Sequence, residues 1–396
     1  MTAPESGTVV DFSNTEIAFL NKSNKELRKT ARLFRLMNNN LLVDIGSSLA
    51  SWATRLNIPL SGRLIENTIF YLFCGGKTLL ECQPVIDKLY KYKTLTVLDY
   101  GAEGKTTEEE LDGALREILK AVEFAASNAS VPVVSTKPTA LADNDLLAGW
   151  QAKKPLDEQQ RQAFGRVMDR LDTLCAKAHD LGVKVFVDAE ESWMQDTIDH
   201  MVEEMMQKYN QNGVCVYNTY QLYRHDKLQD LQEAYERARS RGYVLGAKLV
   251  RGAYMEKERR RAEENGYPSP IQPDKAATDR DYNAAVRFCV DNYVHLASCN
   301  ASHNLESNLL QAELIASKDL PRGHPHLNFC QLLGMSDYIT FNLSEAGFNV
   351  AKYVVYGPIR EVVPYLMRRA QENTAITGEM SRELKLIMKE MQRRGL

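Results

Sequence analysis

Arg368 and Arg369 stand side by side near the C-terminus, in the run KYVVYGPIREVVPYLMRRAQEN. A guanidinium is a rigid planar fork that grips a carboxylate through two parallel hydrogen bonds. Two forks on one predicted helix, just past a strand, suggest a pocket for a small anion. Glu372 follows at the three- and four-residue spacing that lets it touch both arginines.

Other polar residues fall where short apolar runs end. They are Asp99 and Glu103, Lys137, Asp188, Asn218 and Gln221, Lys248 and Arg251, Ser302, His303 and Asn304, Gln331, and Tyr353 and Tyr356. Each alone has a plain reading. Lys137 reaches solvent along its stem; Asp188 caps the next helix. Together they gather on one rim. Strand alternation in GAKLVRGAY puts Lys248, Val250 and Gly252 on one face and Arg251 on the other. Gly252 points to a close backbone approach by a flat or anionic ligand. The ASHN turn reads as a hydrogen-bonding or phosphate site, since the other histidines are scattered and no metal-ligand spacing appears. Neither GxGxxG nor GxxxxGK[ST] is present, so a cofactor would lie across the rim.

The elements that must position these residues repeat. Apolar, β-branched runs span Leu95 to Asp99, Val131 to Lys137, Val183 to Asp188 and Val214 to Thr219. They continue with Val244 to Arg251, Val294 to Cys299, Asn328 to Leu333 and Asn349 to Val355. Helical stretches separate them. Leu111, Leu115, Ile118, Leu119 and Val122 share one helical face, and Phe164, Val167, Met168, Leu171, Leu174 and Cys175 another. Thr106 and Thr107 before Glu108 to Glu110 mark a helix start. Eight strand–helix units predict an α/β fold, a distorted TIM-like (β/α)8 barrel over residues 94–376, with chemistry at the strands' C-terminal ends. The seventh helix, Ser336 to Gly347, reads weakly. Residues 1–93 read as a helical extension broken at Asn38-Asn39-Asn40 and Gly75-Gly76. Residues 377–396 read as an amphipathic helix, docked on protein or touching a membrane surface.

Composition sets bounds. The chain has 396 residues, 44% hydrophobic and 26% charged, with a net charge of -3. Nothing points to nucleic acid. Seven single cysteines without a CxxC pair suggest reduced thiols and no zinc site. No run is long enough to cross a bilayer. The polar N-terminus lacks leader patterns, so the expectation is a cytoplasmic protein or one whose targeting segment has been removed.

In their order, the blocks TVLDYGAEG, Lys137, FVDAEES, VYNTYQLY, GAKLVRGAY, ASHN, FCQLLGM and KYVVYGP…PYLMRRAQEN resemble the proline dehydrogenase family, its eukaryote-type branch above all. They run from about residue 94 to 373. The resemblance implies FAD, held non-covalently, and oxidation of L-proline to 1-pyrroline-5-carboxylate with electrons passed to a quinone. It implies catalytic roles for Lys248, near the flavin N5, and for Asp188. Lys137, Arg368 and Arg369 would bind the proline carboxylate, with Glu103 pairing the first arginine and Tyr353, Leu332 and Tyr365 walling the ring. Val187, Asn218, Gln221, Lys248, Val250, Arg251, Gly252, Ala253, Lys275, Thr278, Ser302, His303, Asn304, Gln331 and Glu372 would line the cofactor. Two positions depart from other members: many bacterial ones have arginine where Lys248 stands, and glutamine is common at Asn218. A phenol at Tyr353 crowds a ring hydroxyl and so favours proline over hydroxyproline. Quinone use implies peripheral membrane contact, on the bacterial inner membrane or the matrix side of the mitochondrial one. Two other readings stand beside this: a Schiff-base aldolase using Lys137 or Lys248, and a non-catalytic proline sensor.

Overall fold

The computed structural model describes residues 9–37, 65–155, 157–375 and 377–396, those at 370–381 by their backbone alone. Eight strands close a parallel barrel: β2 (Leu95–Tyr100), β3 (Val133–Thr136), β4 (Lys184–Val187), β5 (Val216–Gln221), β6 (Leu245–Val250), β7 (Leu296–Ala301), β8 (Leu327–Leu332) and β9 (Asn349–Tyr356). Ladder bonds run in that order, and β9 closes the ring by pairing with both β8 and β2. Each strand is followed by helix, as a parallel sheet buried on both faces requires.

Strand alternation sorts the core. Val97, Val133, Phe186 and Tyr217 pack in one cluster, with Phe186 and Tyr217 edge to face at 5.0 Å between ring centres. Their chain neighbours Leu98, Val134, Val185 and Val216 pack in another, among the surrounding helices. The helix after β2, Glu108–Ala126, starts at a capping box in which Thr107 and Glu110 satisfy each other's backbone donors.

Three expectations are corrected. Gly75-Gly76 is no simple break: Cys74–Gly76 forms a short strand, β1, which adds parallel to β9. A Cβ on Gly75 would lie 2.5 Å from Val354 Cγ1, so the close approach requires glycine. The seventh helix is regular from Asp337 to Glu345, with Asp337 through Ser344 all buried. It is covered on two sides, by the barrel and by helix Thr15–Ala18, which erases the one-sided pattern that sequence reading needs. The sharp alternation expected through Arg251 stops at Val250, where β6 ends. The Asn38-Asn39-Asn40 break lies outside the described residues.

The C-terminal helix, Thr377–Arg393, docks on protein. Ile387 is fully buried, and Arg394 donates to the carbonyls of Phe19 at 2.9 Å and Lys22 at 2.7 Å. Helix Asn24–Met37 packs alongside it.

Candidate active site

At the C-terminal end of the barrel is a cleft of about 230 Å³. Its floor is a charge cluster built by inward positions of five strands. Lys137, just past β3, donates to Asp99 Oδ2 of β2 at 2.8 Å. Lys248 of β6 donates to Asp188 Oδ1, just past β4, at 2.5 Å. Asp188 also accepts from Ser135 Oγ of β3 at 3.0 Å and from the Tyr353 hydroxyl of β9 at 2.8 Å. The Lys248 ammonium lies 5.6 Å from the Phe186 ring centre and 5.0 Å from that of Tyr353. Positive charge over aromatic faces is favourable in a desolvated floor.

The pKa directions follow from these neighbours. Burial raises Asp188, but Lys248 and Lys137 outweigh it and hold this carboxyl below its ordinary value. Burial pushes Asp99 up to about 6 against the pull of Lys137. Lys137 would lose its proton more readily from burial alone; Asp99, Asp188 and Glu103 reverse that and hold it above the usual lysine value. Burial first, then the charge of Asp188, keeps the Tyr353 phenol neutral.

Helix Ile359–Ala375 delivers the arginines over this floor. Arg368 Nη2 donates to both oxygens of Glu103, at 2.8 and 3.0 Å. Glu103 sits in the loop after β2. The Arg369 guanidinium lies 5.5 Å from the Tyr365 ring centre. Arg368, Arg369, Lys137, Lys248, Tyr353, Tyr365 and Leu332 all line the cleft.

A second arm extends past β6 and β7. Arg251 donates to Ser302 Oγ at 2.7 Å, to Ser307 Oγ at 3.0 Å, and to Asp279 Oδ1 at 2.6 and 3.0 Å. Lys275 reaches the other Asp279 oxygen at 2.6 Å. Asn304 caps the thirteen-residue helix Leu305–Ser317, whose N-terminus faces this arm. Burial, reinforced by Lys352, Arg369 and Arg251, lowers His303 to about 3, so it is a neutral hydrogen-bonding ring. Its Nδ1 lies 3.1 Å from Ser336 Oγ. Gly252 adopts φ +141°, and a Cβ there would strike the Tyr223 ring at 2.4 Å. Two cations share one carboxylate, hydroxyls and an amide flank them, and a helix N-terminus lies beside them. That donor set fits the phosphates of a dinucleotide.

Of the residues expected at the cofactor, Gln221, Lys248, Val250, Arg251, Gly252, Ala253, Lys275, Ser302, His303, Asn304 and Gln331 line the cleft. Three do not. Asn218 faces outward and donates to Asp199 of helix Ser192–Tyr209 at 2.8 Å. The pleat turns Thr219 and Gln221 inward instead. Val187 packs with the helix-side core for the same reason, and only its carbonyl, which accepts from Thr219 Oγ1 at 2.7 Å, leans on an inward residue. Thr278 is turned back on its own helix, donating to the Asp274 carbonyl at 3.2 Å. The side chain of Glu372 lies outside the described residues. Tyr356 packs on Tyr100, with ring centres 5.5 Å apart, and does not line the cleft. Sequence reading missed Ser135, Thr219, Tyr254 and Met335. Counting back by two from Lys137 and Gln221 finds the first two; Tyr254 and Met335 sit on loops with no periodicity to read.

A family model described as proline dehydrogenase matches residues 82–382. The carbapenem antibiotics biosynthesis protein CarD of Pectobacterium carotovorum subsp. carotovorum is 36% identical over 335 residues, covering 84% of this chain and 86% of that protein. The mitochondrial proline dehydrogenase 1 of Drosophila melanogaster is 37% identical over 246 residues, covering 60% of this chain and 36% of the fly protein. Among solved structures, proline utilization A from Bdellovibrio bacteriovorus, inactivated by N-propargylglycine, aligns with a TM-score of 0.71 at 23% identity. It covers 94% of this chain and 40% of the other, and at that identity the likeness speaks for the fold. The chain thus spans most of the first relative and two fifths or less of the other two.

Proposed function

The chain belongs to the proline dehydrogenase family, and from that premise we propose that it oxidises L-proline to 1-pyrroline-5-carboxylate, using FAD and passing the electrons to a quinone. The observation that carries this is the convergence of Lys137, Arg368 and Arg369 on one cleft floored by the Lys248–Asp188–Tyr353 cluster. FAD, when bound, supplies the acceptor for a hydride from the ring carbon beside nitrogen. Lys248 and the Arg251–Lys275–Ser302 arm are the residues that would hold it.

The chain's own contribution is positioning. Three cations grip one carboxylate and so fix the small ring in orientation. Glu103 orients Arg368 and draws the loop after β2 toward the site. Leu332 and Tyr353 wall the ring, and the Tyr353 phenol, tied to Asp188, leaves little room for a ring hydroxyl. Asp188 stays ionised and balances Lys248 beneath the substrate. Contact with the quinone's membrane would be peripheral: among the described residues no helix is long and apolar enough to cross one. The outer face of the C-terminal helix, with Arg382, Lys385, Met388 and Lys389 exposed, suits such contact. On this reading the protein works at the bacterial inner membrane or at the matrix side of the mitochondrial one.

The test is the absorbance spectrum of the FAD-loaded protein before and after anaerobic L-proline. Loss of the oxidised-flavin band is expected. A protein that takes up no FAD, or one whose flavin stays oxidised, contradicts the reading. Borohydride trapping of a carbonyl substrate on Lys137 or Lys248 would favour aldolase chemistry instead.

A further inference from the structure

Glu190 is a carboxyl only 3% exposed, and carboxylate binding gives it no task. It follows β4 by three residues. Its Oε1 accepts from Thr139 Oγ1 at 2.7 Å, and its Oε2 accepts from the Tyr254 hydroxyl at 3.0 Å. Tyr254 lines the cleft beside Lys248, Asp188 and Arg368. Among the described residues, the charges facing the carboxyl are Lys137 after β3, Glu103 after β2, and Glu191, itself paired with Lys257. Arg368 faces the phenol from the helix above. Gln195 bonds the Glu190 backbone rather than its carboxyl.

Oxidation of a secondary amine requires a free lone pair on nitrogen, so the substrate ammonium must first lose a proton. Among the described residues, few groups at the cleft can take one. Lys137 stays protonated, Asp188 stays ionised and His303 is too weak a base. Asp99, pushed up to about 6, is sealed beneath Lys137, and a proton on it would break that ion pair. Glu190 differs. Burial pushes it up to about 7 against the Thr139 hydrogen bond, and a hydroxyl connects it to the cleft. Burial, then Glu190 itself, holds the Tyr254 phenol far above neutrality, so it passes a proton without resting as phenolate.

We propose that Tyr254 and Glu190 form the proton relay that neutralises the substrate's ring ammonium before hydride loss. This rests on the proline-oxidising reading above. The ammonium N–H bond breaks and its electron pair stays on nitrogen. That proton bonds to the Tyr254 oxygen as the phenolic proton moves to Glu190 Oε2. Ammonium and carboxylate become amine and carboxylic acid, with no change in redox state. Tyr254 meets the substrate, and Glu190 acts through it.

The experiment follows anaerobic flavin reduction by L-proline in rapid mixing across pH, with the FAD-loaded protein. The wild-type rate per unit proline concentration should rise through a limb near pH 7. Glu190→Gln should abolish that limb and slow reduction about 100-fold near neutrality. Binding of tetrahydrofuran-2-carboxylate, which keeps the carboxylate and has no amine, should be unchanged. Tyr254→Phe should do the same, and carries the test if Glu190→Gln does not fold. Thr139→Val keeps the relay and should move the limb upward, since it removes a hydrogen bond that favours the charged form. A wild-type flavin that stays oxidised overturns both readings. A wild type that bleaches, with the limb unmoved in Glu190→Gln or Tyr254→Phe, overturns the relay alone.

Discussion

Two buried lysine–aspartate clusters sit on opposite faces of β9, and they are built to different ends. Lys352 points out of the barrel and is fully buried. Its three donors meet three acceptors: Asp337 Oδ1 at 2.9 Å and the carbonyls of Met335 at 2.5 Å and Leu332 at 3.3 Å. Lys22 closes the other Asp337 oxygen at 2.9 Å, and Glu383 accepts from the Ser336 amide at 3.1 Å. This cluster staples the N-terminal segment and the C-terminal helix to the barrel. The next residue, Tyr353, points inward to the other cluster. There Lys137 and Lys248 each have one carboxylate partner among the described residues. An ammonium has three donors, so both keep hydrogen-bonding capacity facing the cleft. Charge with its donors saturated is architecture; charge with donors left over is available to a ligand.

Lys352 holds the structural cluster together through Asp337. Lys352→Met leaves Asp337 buried with one cation fewer and should cost about 3–5 kcal/mol of stability, read from urea unfolding. Proline binding by the protein that remains folded should be little changed; a large rise in apparent KM would make this a site residue. Arg368→Met should cost less stability than Lys352→Met, since both partners of its ion pair with Glu103 stay partly exposed, and should raise the apparent KM for proline by about 1.5–3 kcal/mol equivalents, since one charged hydrogen-bond partner is lost. Normal proline affinity in that variant would remove Arg368 from the carboxylate grip. Tyr353→Ser opens the wall and should move the kcat/KM ratio toward hydroxyproline by about tenfold; an unchanged ratio counts against a steric role.

The smallest effect sharpens the structural side. Burial, with Asp337 adding to it, pushes Glu383 up to about 8 from 4.5. A carboxyl that the fold keeps protonated stabilises fully below its unfolded value and loses that contribution as pH rises through about 8. Glu383→Gln cannot ionise, so its urea midpoint should fall less than that of the wild type between about pH 6 and pH 9. Parallel curves would show that Glu383 does not titrate in this range.

The barrel was legible because apolar strands alternate with helices that bury one face, as Glu108–Ala126 and Glu158–Asp180 do. The seventh helix defeats that logic: with Asp337 to Ser344 all covered, no polar face remains to mark the period. β1 is three residues long and two are glycines, too short for any pattern. In the site, strand ends identified Lys137, Asp188 and Lys248, because a charge ending an apolar run stands out. Asn218 was misplaced by one step of the pleat, and Arg251 by an alternation carried past the strand's end. Lys352, adjacent to Tyr353 on β9, looks as functional in sequence as Lys137. Only the carbonyls around it reveal that its donors are used.

The most direct test compares Lys137→Met/Asp99→Asn with the wild type, both FAD-loaded, in anaerobic proline titrations followed by flavin bleaching. The double change removes both partners and so avoids stranding a buried carboxylate. If the free donors of Lys137 hold the substrate, half-bleaching should need at least about tenfold more proline, with flavin content retained. Superimposable titration curves would contradict the account.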